Sequence, residues 1–433
     1  MTTSNKTISV EKHSSKLRYL VLAMLFIVTA INYADRATLS IAGSALSKDL
    51  GIDAITMGYL FSAFGWSYVI AQVPGGMLLD RFGSRNVYFV SIVLWSIFTL
   101  LQGAVNLISL STIATVYILF CLRFLVGFAE APSFPANSRV VTSWFPAKER
   151  GTASAIFNSA QYFSTVIFAP IMAWIVHSYG WPFVFYFMGG LGILIGLVWV
   201  KVIYEPANHP KISDEELAYI ENRSAHVQPV ELPKEKISIS KWAQIKQLLS
   251  SRMLLGIFIG QYAITTLTYF FLTWFPVYLV KDRGFSILNA GIVASLPAIC
   301  GFLGGILGGY ISDSLIKRGK TISLSRKVPI VVGMLLSTSI VICNYVDSAA
   351  VVVGVMSLAF FGKGIGALGW AVVSDTSPKE GAGLSAGLFN TFGNTAGITT
   401  PIVIGYLIQG TGSFNVALGF VAANAVLAIV CYV

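Results

Sequence analysis

The sequence predicts an all-α membrane protein of twelve transmembrane helices in two six-helix, pseudo-symmetric halves. Three observations carry this: an extreme composition, twelve apolar runs of spanning length, and an internal repeat. Of 433 residues, 55% are hydrophobic and 11% charged, with a mean hydropathy of +0.74. Soluble domains carry about 25% charged residues, so a soluble fold is excluded.

A helix needs about 20 apolar residues to cross the hydrocarbon. Runs of that length fall at approximately 18–44, 57–79, 86–106, 110–134, 151–177, 182–203, 253–280, 288–312, 328–346, 349–373, 381–408 and 414–433. The one long polar stretch, 205–252, holds Glu205-Pro206, Asn208-His209-Pro210 and the charged runs Asp214-Glu215-Glu216 and Lys234-Glu235-Lys236. It divides the chain into an N-terminal six-helix bundle with its tail (1–204), a linker (205–252) and a C-terminal bundle (253–433). The tail is polar and basic and the first run lacks a small-residue cleavage pattern, so no cleaved signal peptide is expected.

The formal net charge of +10 sorts by side. Of the 29 lysines and arginines, 23 fall in the N-terminal tail, the loops after even-numbered runs and the linker. The opposite loops hold Lys48, Lys281 and Arg283. By the positive-inside rule both termini and the linker are expected in the cytoplasm. A lipid bilayer thus accounts for the basic charge, and no nucleic acid partner is expected. Cys121, Cys300, Cys343 and Cys431 show no CxxC spacing, and are expected to be buried, inert thiols without metal.

The repeat is the third observation. Gly58 and Gly291 are 233 residues apart, as are Gly76-x-x-x-Asp80 and Gly309-x-x-x-Asp313; Pro146 and Pro378, and Asn158 and Asn390, are 232 apart. Two halves repeated in one orientation imply a pseudo-two-fold axis along the membrane normal, with a site between them near the midplane.

Ionisable residues inside spans are costly and therefore functional candidates. Asp35 and Arg36 sit in the first run, Arg123 and Glu130 in the fourth, Lys363 in the tenth. Arg123 and Glu130 are seven apart and share a helical face. The rise between them, roughly 11 Å, is too long for tight pairing, so each needs partners elsewhere. A carboxylate in a low-dielectric cavity takes up a proton more readily than one in water, which makes Asp35 and Glu130 candidate proton carriers. Tyr68 with Gln72, Asn158 with Gln161, and Asn390 with Asn394 are three or four apart, each pair marking one face. Asn158 and Asn390 are repeat partners, and two amides on one cavity suit a polyhydroxylated ligand; each amide alone could equally join helices. Positions 363, 367, 370 and 374 form one stripe on a continuous tenth helix. Tyr262, Thr265 and Tyr269 read as packing, or as a gate on the outer side. The glycines 301, 304, 305, 308 and 309 read as close helix packing, without the Lys-Ser/Thr ending of a phosphate loop.

Gly76-Met77-Leu78-Leu79-Asp80-Arg81-Phe82-Gly83-Ser84-Arg85, echoed at Gly309 to Asp313, resembles the signature loop of the major facilitator superfamily. Its glycine is expected to let two helices approach, and its acid and bases to bridge helix ends. The resemblance makes Gly76, Asp80, Arg81, Arg85 and Asp313 a conformational latch for the outward-open state. Asn32 to Ala37, Gly127 to Pro135, Ser143-Trp144-Phe145-Pro146 with Glu149-Arg150-Gly151, and Thr273-Trp274-Phe275-Pro276 resemble the anion:cation symporter branch, especially bacterial glucarate/galactarate and other hexuronate-type sugar-acid transporters.

That resemblance covers essentially the whole chain. It implies a monomeric proton-coupled symporter in the bacterial inner (cytoplasmic) membrane, with H+ as coupling ion and no cofactor. Asp35 and Glu130 then carry protons. Arg36, Arg123, Tyr68, Gln161, Trp370 and Asn390 match positions that surround the sugar acid, and Gln72, Asn158 and Asn394 are expected there as their partners on the same helical faces. Because Trp370 matches a substrate-packing position, Lys363 is expected on the same cavity, neutralising the second carboxylate of an aldarate while Arg36 or Arg123 holds the first; snorkelling to a membrane edge is the alternative. An enzyme is not expected: the four histidines lie in tails, loops or helix ends, and no HExxH or GxSxG occurs. The alternatives are a transporter-like sensor, or an uncoupled or sodium-coupled carrier of galactonate, hexuronate or another organic anion.

Overall fold

The computed structural model describes residues 17–108, 111–225, 241–378 and 382–433. Lys6, Lys12, Lys16, His13, His226, the Lys234-Glu235-Lys236 run and Lys379 lie outside the described residues.

The spans follow one another as long helices, several of them broken. In the N-terminal half they are α1 (Leu17–Leu50), α2 (Ala54–Phe82), α3 (Ser84–Ala104), α4 (Thr112–Glu130) continued by α5 (Ser133–Trp144), α6 (Ala147–Tyr179) and α7 (Trp181–Val202). Two short helices, α8 (Asp214–Ala225) and α9 (Lys241–Ser250), occupy the stretch read as a linker. The C-terminal half has α10 (Arg252–Tyr269), a π-helical turn (Phe270–Trp274) and α11 (Phe275–Lys281) as one span, then α12 (Ile287–Lys317) and α13 (Ile322–Ser337). It ends with α14 (Ala349–Ile365) and α15 (Gly369–Thr376) as one span, α16 (Ala382–Thr411) and α17 (Asn415–Tyr432). Among the described residues eleven spans are long and apolar enough to cross a membrane. α16, with 30 residues, is the twelfth, its apolar character diluted by Asn390, Asn394 and several threonines.

Two expected boundaries shift for the same reason. The fourth span extends to Trp144 instead of ending near 134, because it bends at Ala131-Pro132 and resumes as α5. Pro132 has no N–H to offer the carbonyl four residues back, and its ring crowds that carbonyl. The tenth span also breaks, between Ile365 and Gly369, so the expected stripe 363, 367, 370, 374 does not lie on one helix. Gly364 and Gly366 stand in the crowded space beside α12 and α13, against Gly301 and Met334, where side chains would not fit.

The halves meet unequally at the two faces of the bundle. At the face away from the linker, Ser40 Oγ donates to the Thr273 carbonyl (2.6 Å), Lys281 Nζ to Ser47 Oγ (2.7 Å), and Phe61 and Trp274 meet edge to face at 5.2 Å. Gly58 there faces the Pro401 carbonyl, 2.6 Å from where a Cβ would stand, and its repeat partner Gly291 faces Ala169 and Ala173. Toward the linker face, Gly76 and Gly309 have nothing within 4 Å of an added Cβ. The expected close approach at Gly76 is therefore absent here; Gly75, against Pro132, makes it instead. Among the described residues the deepest cross-half hydrogen bond toward the linker face is Asn390 Nδ2 to Gln72 Oε1 (3.0 Å). The cross-half contacts thus concentrate at the far face, and the signature-loop glycines toward the linker face stand free.

The four thiols are not all buried, contrary to expectation. Cys343 is buried, Cys300 and Cys431 are half-buried, and Cys121 is exposed on the outside of the bundle. A thiol is apolar enough to face lipid as readily as a core.

α2 and α4 pack closely in the N-terminal half. A Cβ at Gly127 would collide with Ser67 Oγ and the Phe64 carbonyl, whereas one at Gly190 would meet nothing within 4 Å. Gly127→Ala is expected to cost about 1–3 kcal/mol through overpacking, and Gly190→Ala less than about 0.5 kcal/mol; thermal unfolding in detergent reads the difference.

Candidate functional site

The buried charges of the first and fourth spans come together in the middle of the N-terminal half. Arg36 Nε donates to Glu130 Oε2 at 2.9 Å, with the arginine side chain 7% and the glutamate 0% exposed. Glu130 reaches it because α4 ends there, the bend at Pro132 turning the chain away. Three rings enclose the guanidinium, Tyr33 and Phe64 at 4.7 Å and Tyr68 at 4.9 Å from its carbon. Each such contact adds about 0.5–2 kcal/mol when desolvated.

Arg123 does a different job from the expected one. Its Nη1 donates to the Asp35 carbonyl (3.2 Å) and its Nη2 to the Arg36 carbonyl (2.5 Å). The planar guanidinium thereby bonds two successive peptide groups of α1 from one side, a geometry a lysine cannot copy. It fixes the backbone from which Asp35 and Arg36 project, with its Nε still unpartnered. The sequence reading that Arg123 and Glu130 need partners outside their own helix holds, with α1 supplying both.

Asp35 is buried and makes no ion pair among the described residues. Its Oδ2 accepts from the Thr99 hydroxyl at 2.9 Å. Thr99, on α3, was not singled out in the sequence; a threonine in an apolar run gives no periodic signal. The two carboxylates thus differ in kind, Glu130 bonded to a cation and Asp35 to a hydroxyl. Glu130 Oε1, Arg36 Nη2 and Asn32 Nδ2 are buried without hydrogen-bond partners, so polar capacity remains in the cluster.

A cavity with about 710 Å³ of space free of atoms, part of it open to solvent, lies between the halves beside this cluster. Tyr33, Ser40 and Gln161 line it from the N-terminal half; Phe271, Phe360 and Lys363 line it from the other. Phe271, in the π-helical turn, meets Phe360 with ring centres 4.4 Å apart and planes tilted by 47°. Lys363 is 7% exposed, and its Nζ lies 5.1 Å from the Phe360 ring centre. Snorkelling to a membrane edge is thereby overturned: the break after Ile365 leaves the lysine deep in the span, facing the cavity.

The remaining candidates divide. Gln161 faces the cavity, with its Nε2 turned to the Asn158 carbonyl (3.1 Å). The repeat partners Asn158 and Asn390 do not line it together. Asn158 bonds back to Ser154 O (2.8 Å), while Asn390 bonds Gln72 across the halves and receives Asn394 Nδ2 at 3.0 Å. Tyr269 OH extends this chain weakly to Asn394 Oδ1 (3.4 Å), and Tyr262 OH meets Thr399 (2.7 Å). These tyrosines pack α10 on α16, and the π-helical turn with α11 closes the far face. Trp370 is on α15, beyond the helix break, 53% exposed and 4.9 Å from the Phe389 ring; it is not brought to Lys363. Gly301, Gly304 and Gly308 do pack closely on α14, whereas Gly309 faces open space.

The signature-loop residues bond within their own halves. Asp80 pairs with Arg139 of α5 (2.9 Å), not with Arg81 or Arg85. Arg85 turns to the end of α7, donating to Val200 O (2.7 Å) and covering the Tyr204 ring at 3.8 Å, and Arg81 covers its neighbour Phe82. Asp313 lies 3.7 Å from Arg326, which also binds Asp375 at 2.9 Å. The acids do bridge helix ends, but to bases on other helices.

Replacing the Arg123 fork by a single ammonium gives a direct test of its bracing role. Arg123→Lys is expected to lower stability by about 1–3 kcal/mol, seen as a lower melting temperature without ligand.

Comparison with known proteins places this geometry. The family model described as Major Facilitator Superfamily matches residues 25–401. The chain is 63% identical over 418 residues to a protein of Bacillus subtilis (strain 168) named "Probable galactarate/D-glucarate transporter GudP", covering 96% of this chain and 91% of that one. It is 61% identical over 426 residues to a protein of the same printed name from Escherichia coli (strain K12), covering 98% and 94%. Among solved structures, a bacterial homolog of the human lysosomal transporter Spinster superposes with a TM-score of 0.75 at 17% identity, covering 97% of this chain and 96% of that one. Twelve spans in two repeated halves, the signature loop and these matches agree: the chain belongs to the major facilitator superfamily of membrane transporters.

Proposed function

We propose that the protein imports an anionic sugar acid, an aldarate such as glucarate or galactarate, by proton symport with alternating access. The reading rests on one observation above the others: the buried Arg36–Glu130 ion pair near Asp35, which makes no ion pair, behind the Tyr33 wall of a cavity between two halves. The names of the similar proteins supply the substrate class.

The geometry suggests how proton and substrate are linked. While Glu130 is ionised, it occupies Arg36. A proton delivered to Glu130 removes its charge and frees the guanidinium for a substrate carboxylate, which can take a bidentate grip. Asp35, bonded to a neutral hydroxyl, takes the second proton without breaking an ion pair. Arg123 holds the α1 backbone throughout, so the exchange of partners at Arg36 needs no helix movement.

The open linker face corresponds to the cytoplasmic side by the distribution of basic residues, which makes this an inward-open state. Release there leaves Glu130 to lose its proton and recapture Arg36. In the opposite state the linker-side ends close and the latch glycines Gly76 and Gly309, free here, come into contact. The inner membrane of a bacterium, H+ as coupling ion and a single copy of the chain complete the proposal.

Proteoliposome uptake with a panel of mono- and diacids, under an imposed pH gradient and with sodium present or absent, tests it. Accumulation should follow the pH gradient and ignore sodium. Sodium-driven accumulation, or binding without uptake, would replace symport by a sodium carrier or a sensor. Asp35→Asn and Glu130→Gln are each expected to abolish gradient-driven accumulation while leaving counterflow exchange measurable. Normal accumulation by either variant removes that residue from the coupling.

A further inference from the structure

Lys363 is the cation the protein does not satisfy. Arg36 has Glu130, and Arg123 has two backbone carbonyls. Among the described residues no carboxylate lies within ion-pair distance of Lys363, and its side chain is more than nine-tenths buried. The nearby Phe360 ring supplies a cation–π contact of about 0.5–2 kcal/mol. The ring is not an anion, and the ammonium carries no counter-charge from the protein among the described residues.

Position adds a second observation. Lys363 lines the cavity from the C-terminal half, and Tyr33 lines it from the N-terminal half. Tyr33 is the ring over which Arg36 sits. One cavity therefore has a guanidinium behind one wall and an unpaired ammonium on the other. Arg123, being engaged with α1, drops out as the first anchor.

We infer that Lys363 is the specificity-determining residue that takes the distal carboxylate of a dicarboxylic sugar acid, the proximal one going to Arg36. The inference rests on the sugar-acid reading above. A diacid satisfies both cations and spans the halves. A monoacid of equal length leaves Lys363 buried against a neutral hydroxyl, which is discrimination by an unpaired buried charge.

The experiment compares glucarate with gluconate, the same chain with one terminal carboxylate replaced by hydroxymethyl, as competitors for uptake in proteoliposomes of wild type, K363M and K363R. Wild type should prefer glucarate. K363M should weaken glucarate by at least about thirtyfold, the loss of one partner in a buried charge pair, and gluconate by no more than about threefold, while K363R keeps the diacid preference. Equal losses for both acids in K363M at an unchanged melting temperature, or a preserved preference, would overturn the inference. Should K363M not fold, K363Q, which also removes the charge and keeps a polar side chain, takes its place with the same two outcomes. A wild type that takes gluconate as well as glucarate sinks Lys363 alone; a wild type that takes neither sinks the sugar-acid reading and this inference with it.

Discussion

Everything in the site depends on one buried ion pair, Arg36 with Glu130. Removing one partner of such a pair leaves an uncompensated charge in low dielectric, at a cost of about 3–5 kcal/mol, so something must always stand opposite Arg36. In the proposed mechanism this constraint links a proton to an anion. Only a neutralised Glu130 can give up the arginine, and only another anion can take its place. The surrounding structure holds this exchange in register: three aromatic rings around the guanidinium, the Arg123 fork on the α1 carbonyls, and the bend at Pro132 that ends α4 at Glu130.

The second constraint is the asymmetry of the two faces. The repeat relates Gly58 to Gly291 and Gly76 to Gly309, but structure uses the two pairs differently. The first pair packs against the opposite half and the second faces open space. Close backbone approach needs small residues, so glycines mark surfaces that touch in some state. One conformation can use only one set, which explains why the signature-loop acids here bond within their own halves.

The far-face closure and the cavity share an element. The π-helical turn Phe270–Trp274 carries Phe271, in tilted contact with Phe360 beside Lys363, and Thr273, whose carbonyl receives Ser40 of α1. π-helical turns free backbone groups from the regular ladder and often occur at functional sites. The same turn thus lines the cavity through Phe271 and Leu272 and closes the far face through Thr273 and Trp274.

The span count, the repeat and the costly residues Asp35, Arg36, Arg123, Glu130 and Lys363 were legible from the sequence. Each follows from a local rule: span length, periodicity, or the expense of charge in hydrocarbon. The partners were not legible, because they come from helices tens of residues away. Thr99 opposite Asp35, Arg123 on carbonyls instead of ligand, Arg139 opposite Asp80 and Asn390 on Gln72 all depend on which helix faces lean together. The helix breaks also escaped, since a Pro or a run of glycines permits a bend without demanding one, and the break after Ile365 separated Trp370 from Lys363. The sequence by itself determined which groups must be compensated; tertiary structure decided what compensates them, because compensation acts over a few ångströms in space and ignores distance along the chain.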